Sequence, residues 1–358
     1  MVVLDQVKCC FGMKSRVALV AGARGHVGSQ LTALLAADES WQVLTLGRSA
    51  GGSDHISSDL LSGDLDAALS RIPPVTHIFY CVRAPHNESG RENVADNLAM
   101  LQRLVTAGEK ASPVLEHIHI VEGGKWYGAH LGPYKTPAEE DDPRHQGENF
   151  YHAQEDWLRE KQPRAEWSWS ASRPSFVCSV TPGQGRNMVS TLGAYAVLCR
   201  ELNIPFDFPG TERSFHSLTE ITDSGLLARA IVFLATEPAA RNQAFNVTNG
   251  DWFRWSEIWD ELADYFGAVR GSCRPSPMKV WAEDKEPVWQ AIVARYGLNP
   301  LKLSQIANWG FADFFIGQDY DVASSVDKIR ECGFQNRCDS RSEILMILKK
   351  YRELRLLP

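Results

Sequence analysis

Apolar and polar positions fall into two recurring patterns along the first half of the chain. Short apolar runs at 17–20, 42–46, 76–82, 114–121 and 167–173 read as strands, with a shorter one at 55–58. The run after the first strand continues to Leu35 with helical spacing, and 64–70, 93–107 and 151–160 also read as helices. In 93–107, Leu98, Leu101 and Val105 recur on one helical face. The run 76–82 is nearly all apolar, as in a strand buried on both faces. Strands alternating with helices imply parallel βαβ units with right-handed crossovers.

Beyond Pro174 the pattern changes. Long apolar helices are expected at 188–202 and 219–235, a strand at 244–247 and an amphipathic helix at 255–266. The last third is rich in aromatics, among them Trp281, Trp289, Trp309, Phe311, Phe314 and Phe315. Most of these rings are expected in a core. Together they suggest a mainly helical lobe capping a pocket. The expected division is 14–180 for a sheet core and 181–358 for the lobe, with some lobe segments returning to the core. No internal repeat or low-complexity segment breaks the pattern.

The segment RVALVAGARGHVGSQL, from Arg16 to Leu31, carries the first chemistry. A strand ends at Gly22, glycines recur at Gly25 and Gly28, and a helix follows. Gly22 permits a tight turn, Gly25 lets backbone approach a pyrophosphate, and Gly28 lets helix pack on strand. The helix N-terminus offers free N–H groups to phosphate. This predicts an α/β fold, a Rossmann-type doubly wound parallel sheet with a smaller, mainly helical C-terminal substrate lobe. His26 and Val27 lie inside the turn. An acid at the end of the second strand would favour NAD. Here that strand ends Leu46-Gly47-Arg48-Ser49, and Arg24 adds a second cation. Guanidinium groups suit a 2′-phosphate, so NADP(H) is the expected cofactor. Asp59, after the third strand, is placed to meet the adenine.

Two other motifs lead elsewhere. Gly47-Arg48-Ser49-Ala50-Gly51 fits the nucleophile elbow of serine hydrolases, but it follows only the second strand and a phosphate turn precedes it. His117 and His119 point to one strand face, yet no third metal ligand is evident, so they read as ordinary strand residues and no metal is expected.

Bulk composition narrows the partners. The chain has 358 residues, 44% hydrophobic and 23% charged, with net charge −7. Such a chain buries a large core, and without a basic run it is not expected to bind nucleic acid or an anionic membrane. No apolar stretch approaches the roughly 20 residues of a membrane span, and the N-terminus lacks a signal-peptide core. The eight cysteines show no CxxC spacing and read as reduced thiols of a cytoplasmic protein, a monomer or homodimer. Cys9 and Cys10 are candidate acylation sites, weighed against a plain tail leading into the first strand. The sequons Asn87-Glu88-Ser89 and Asn246-Val247-Thr248 read as coincidental.

Glu122-Gly123-Gly124-Lys125-Trp126-Tyr127-Gly128 resembles the TGxKHYxGP segment of the progesterone 5β-reductase/iridoid synthase (PRISE) family, atypical extended short-chain dehydrogenases that reduce conjugated enones and enals with NADPH. Asn149-Phe150-Tyr151-His152-Ala153-Gln154-Glu155-Asp156 is similar to that family's NFYYxxED. The likeness runs nearly the whole length, through Arg173-Pro174, Phe208-Pro209-Gly210 and Trp309-Gly310-Phe311-Ala312-Asp313. It implies that Lys125 takes the lysine role at the nicotinamide ribose. It implies that Val82 and Arg83 border the cofactor, and that Pro174-Ser175-Phe176-Val177 borders the nicotinamide. The ungapped match sets His152 where the family has its catalytic second tyrosine, and keeps Tyr151 as the first. His152 is then the expected donor or base, with Tyr151 and Tyr127 as substitute donors.

Three functions follow as expectations. The first is NADPH-dependent reduction of an apolar enone, enal or ketone of terpenoid, steroid or polyketide type, in specialised metabolism. The second is a redox-neutral isomerase or cyclase using His152. The third is a cofactor-sensing regulator, which the retained Lys125 and Asn149-Phe150-Tyr151 argue against.

Overall fold

The alternating half of the chain builds one sheet. The computed structural model describes residues 16–86 and 91–358; Cys9, Cys10 and the sequon at Asn87 lie outside the described residues. The elements are β1 (Arg16–Ala21), α1 (His26–Ala36), β2 (Trp41–Gly47), β3 (His55–Ser57), α2 (Leu65–Leu69), β4 (His77–Tyr80), α3 (Val94–Ala111), β5 (His117–Val121), α4 (Phe150–Lys161) and β6 (Ser168–Arg173). A seventh strand, Gln243–Asn246, joins the edge beside β6. The order is Gln243–Asn246, β6, β5, β4, β1, β2, β3, and every pairing is parallel. All four residues of β4 are buried, as its continuous apolar run requires.

Each face of the sheet has its own core. Leu101, Leu104, Leu158 and Trp169 pack on one side, beneath α3 and α4. Leu31 and Leu35 of α1 meet Leu227 and Ile231 of the helix Ser224–Thr236 on the other. A third core fills the lobe around α5 (Met188–Leu202), whose residues from Met188 to Cys199 are all buried, with Trp255, Trp259 and Trp289 packed against it.

One helix starts later than its apolar run suggests. Residues 221–223 are extended and pair in parallel with Phe176–Cys178, while Leu218–Thr219 pairs with Phe253–Arg254. The helix begins at Ser224 because Asp223 Oδ1 accepts the Leu226 amide at 2.6 Å. The expected start at 219 lies five residues upstream, because the apolar run continues across the cap. Similarly, Asn93 is a cap rather than the first helical residue, and α4 begins at Phe150, one residue before the expected start, on an Asn149 cap.

His117 and His119 interlock with β6. His117 bonds the Ser168 and Ser170 hydroxyls, both at 2.8 Å, and His119 bonds Ser170 at 2.8 Å and Ser172 at 3.0 Å. All four ring nitrogens have seryl partners. Among the described residues no cluster of His, Cys, Asp or Glu is arranged to hold a metal, and no helix is long and apolar enough to cross a membrane. Asn246 of the second sequon is fully buried, its amide bonded to Ala138 and Ser325 carbonyls.

Candidate active site

A cavity of about 390 Å³ opens at the carboxyl ends of the strands, where doubly wound sheets bind ligands. Its floor begins at the glycine turn. Gly22 has φ +84°, and a Cβ there would stand 2.5 Å from the Cys81 carbonyl oxygen; a Cβ on Gly28 would stand 2.2 Å from Gly22 O. Both positions therefore exclude side chains. Gly25 occupies the N-cap of α1 with no side chain bonded over the helix end. This cradle fits a pyrophosphate. His26 and Val27 line the cavity beside it, and His26 Nδ1 pairs with Ser179 Oγ at 2.6 Å. Burial, reinforced by Arg186, holds His26 below the usual histidine range, so its ring is neutral at physiological pH.

The expected adenosine end lies outside the cavity lining, on exposed surface. Arg24, Arg48 and Ser49 are exposed there. Arg24 Nη2 donates to Ala50 O at 2.5 Å, and His55 Nε2 bonds Ser49 O at 2.7 Å, tying the turn after β2 to β3. Asp59 turns inward on its own loop, accepting the Leu61 and Ser62 amides at 2.8 and 2.9 Å. The Ser62 and Leu61 amides hold its carboxyl below the usual range.

Val82, Arg83, Phe176 and Val177 all border the cavity, as does Lys125. Lys125 lies in a 3-10 turn, Gly124–Tyr127, directly after β5. Its Nζ donates to Glu92 Oε1 at 2.7 Å, and Arg83 reaches the same oxygen at 3.5 Å. Asn149 joins this turn to α4: its Nδ2 donates to Lys125 O at 2.8 Å, while its Oδ1 accepts the Tyr151 amide at 2.9 Å.

Adjacent positions on α4 point in different directions. Tyr151 lines the cavity, its ring against Phe150 and its hydroxyl 3.4 Å from the point a Gly123 Cβ would occupy. Burial pushes its hydroxyl above the ordinary tyrosine value, with Glu92 adding to the effect, so the phenol keeps its proton. His152 is absent from the cavity lining and only 8% exposed. Its Nε2 donates to Trp126 O at 2.8 Å, and its ring lies between Trp126 and His145. The expectation that His152 faces the reacting group does not match this geometry. One residue along a helix rotates a side chain by about 100°, enough to turn it from the cavity to the loop beneath. Tyr127 is likewise committed elsewhere: its hydroxyl donates to Asn246 Oδ1 at 2.7 Å and accepts from Arg173 at 3.1 Å.

Arg173, the last residue of β6, organises the wall behind these groups. Its Nε donates to Glu122 Oε2 and its Nη2 to Glu155 Oε2, both at 2.8 Å, and its guanidinium lies 3.6 Å from the Trp126 ring centre. Burial pushes the Glu122 carboxyl up to about 8 against the pull of Arg173. Burial also opposes ionisation of Glu155, but Arg173 and Arg159 outweigh it and hold that carboxyl below the usual range. One guanidinium thus serves two buried carboxyls whose acidities are pulled in opposite directions. Glu92, Arg186 and this network escaped the sequence reading. A buried strand ending in arginine was the available signal, since such a charge requires carboxylate partners.

The lobe supplies the remaining wall with Phe311, Phe314, Gln318 and Val322. Phe176 packs edge-on against Phe311 and Phe314 at 6.0 Å, and the Arg186 guanidinium stands 4.6 Å from the Phe311 ring centre at the rim. Apolar rings on one side and Lys125, Tyr151 and the glycine cradle on the other can orient a carbonyl compound between them.

Known proteins share this architecture. A family model described as a PRISE-like Rossmann-fold domain matches residues 50–358. An (S)-8-oxocitronellyl enol synthase of Nepeta racemosa is 32% identical over 96% of this chain and 93% of its own. A 3-oxo-Delta(4,5)-steroid 5-beta-reductase of Arabidopsis thaliana is 31% identical over 96% of this chain and 93% of its own. A short chain dehydrogenase, gsfE, of Penicillium aethiopicum is 33% identical over 79% and 80%. Among solved structures, RMD from Pseudomonas aeruginosa complexed with NADPH superposes with TM-score 0.66 at 16% identity, over 96% of this chain and 99% of that one. At that identity it speaks for the fold alone. On the family match and the near full-length relatives, this chain belongs to the PRISE-like Rossmann-fold family.

Proposed function

We propose that this protein is an NADPH-dependent reductase of an apolar enone, enal or ketone in specialised metabolism. The observation that carries the reading is the convergence of Tyr151 and Lys125 on one cavity running from the glycine cradle to the aromatic wall. Relatives named as an enol synthase and a steroid 5-beta-reductase support the substrate class.

The nicotinamide, when bound, supplies the hydride that adds to the substrate's β-carbon or carbonyl carbon. Tyr151 then donates a hydrogen bond to the carbonyl oxygen, where negative charge collects as the hydride arrives. Its raised hydroxyl value keeps it a neutral donor. Lys125, oriented by Glu92, binds the cofactor ribose and adds positive charge near the phenol. The aromatic wall keeps water from the reacting carbons. His152 holds the Lys125 turn through Trp126 O instead of moving a proton. Without it in the cavity, a redox-neutral isomerase loses the residue on which that reading rested.

Arg24 and Arg48, with no acid after β2, favour NADPH over NADH. The six described cysteines are all free thiols, which fits a cytoplasmic protein. The test is cofactor oxidation with NADPH and NADH against a panel of enones, enals and ketones. Substrate-dependent oxidation, faster with NADPH, is expected. NADPH binding with products of unchanged mass would sink the reductase reading.

A further inference from the structure

The mouth of the cavity carries more positive charge than nearby carboxylates balance. Arg83 and Lys125 line it and share one carboxylate, Glu92, at 3.5 and 2.7 Å. Arg186 lines it from the lobe side and has no carboxylate at ion-pair distance among the described residues. The two buried acids of the lining are committed elsewhere. Glu122 accepts from Arg173 at 2.8 Å, and Glu220 accepts the Ser324 amide and hydroxyl at 2.9 and 2.8 Å.

Arg186 can be reached from solvent. It is an exposed residue, and its guanidinium stands over the Phe311 ring, 4.6 Å from the centre. Stacking occupies one face of the group and leaves its in-plane N–H donors open at the edge. Among the described residues no acceptor bonds them. Desolvation and the Arg83 charge lower the pKa of Arg186, and Glu92 opposes them. A guanidinium nonetheless keeps its proton at any physiological pH.

On open surface such a charge gains little from an anion, because water screens it. Here one face lies against a ring at the mouth of an apolar cavity, where an ion pair is screened less. The paired N–H donors match the two oxygens of a carboxylate. The glycine cradle offers its own backbone donors to the cofactor's phosphates, which leaves Arg186 for the substrate.

We propose that Arg186 is a specificity-determining residue, and that the substrate is a carbonyl compound with an apolar body and a carboxylate that pairs with the Arg186 guanidinium at the cavity mouth. The inference rests on the reductase reading for the carbonyl, but the carboxylate requirement stands on Arg186. Arg186 takes no part in hydride or proton transfer, so its effect falls on KM and not on kcat.

The probes are bicyclic enones of decalin type, each carrying one carboxylate at a different ring position, with the methyl ester of each. Calorimetry measures their binding to the full chain loaded with NADP+, and NADPH oxidation is followed in parallel. At least one acid is expected to bind about tenfold tighter than its ester. Arg186→Gln is expected to abolish that preference and leave NADP+ affinity unchanged. If Arg186→Gln does not fold, Arg186→Lys takes its place: it keeps the charge without the paired donors, and the preference is expected to fall. No preference in any wild-type pair, or one undiminished in the variant, overturns the proposal. So does a fall in the variant's NADP+ affinity, which would assign the guanidinium to the cofactor's pyrophosphate. A preference without oxidation of any probe sinks the reductase reading and leaves this one standing; oxidation without a preference does the reverse.

Discussion

The two sides of the cavity are built differently. On the sheet side, directional bonds hold each reacting group: Glu92 holds Lys125, Asn149 holds the turn and the helix start, and Arg173 holds two carboxyls. On the lobe side, Phe311, Phe314 and Val322 line the cavity, interrupted by Arg186, Glu220 and Gln318. Hydrogen-bonded charges fix position and tolerate little change, whereas packed rings fix volume and tolerate reshaping. On the proposed reading, the sheet side sets the chemistry and the lobe side sets what enters.

Substitutions can break this contrast, and the largest effect is expected behind the sheet wall. Arg173→Leu strands Glu122 and Glu155 in the interior and should cost about 3–5 kcal/mol in urea unfolding. A loss well below that would mean the network is not what holds this side. Next comes Tyr151→Phe, which removes one donor from the developing oxyanion and should lower kcat about 10²–10³-fold with NADPH affinity unchanged. Arg48→Ala should then narrow the NADPH over NADH preference about tenfold, read as a ratio of kcat/KM values; an unchanged ratio would assign the 2′-phosphate to other residues.

A smaller effect concerns acidity. Burial pushes the folded Glu122 carboxyl up to about 8, above its value in the unfolded chain. Between those values the folded state keeps a proton that the unfolded state has released, so this group's stabilisation is complete at acid pH and fades as pH rises towards 8. Glu122→Gln should flatten that part of the Tm–pH curve by a few degrees. An identical slope in wild type and variant would show that Glu122 ionises normally. The smallest effect is expected next to the largest catalytic one. His152→Gln preserves a donor to Trp126 O and should change kcat less than about threefold. A collapse of kcat would return His152 to the reacting centre.

Local features were legible in the sequence and distant ones were not. The glycine turn showed in its spacing, because Gly28 is closed by Gly22 within seven residues, although Gly22 is closed by Cys81 on a neighbouring strand. Lys125 and Tyr151 lie in segments whose residue order resembles the family's motifs. Which of Tyr151 and His152 enters the cavity depends on the phase of α4, and that is set by Asn149 at its start and by packing against the sheet. A motif specifies neighbours along the chain but not the direction in which a helix presents them. Arg173 collects partners from the residue after β5, from α4 and from the 3-10 turn between, and Gln318 reaches Ala129 across 189 positions. Such pairs leave no periodic trace. The late start of the helix at Ser224 was written in Asp223, but the apolar run around it was the louder signal.

Asn149 has a role in how such a protein can diversify. Its one side chain caps the helix that presents the phenol and pins the turn that presents the ammonium. The two groups therefore share a hinge pin, and neither can be re-aimed without moving the other. Selection for a new substrate therefore meets a spacing that this asparagine helps to fix, and finds its freedom across the cavity in the lobe.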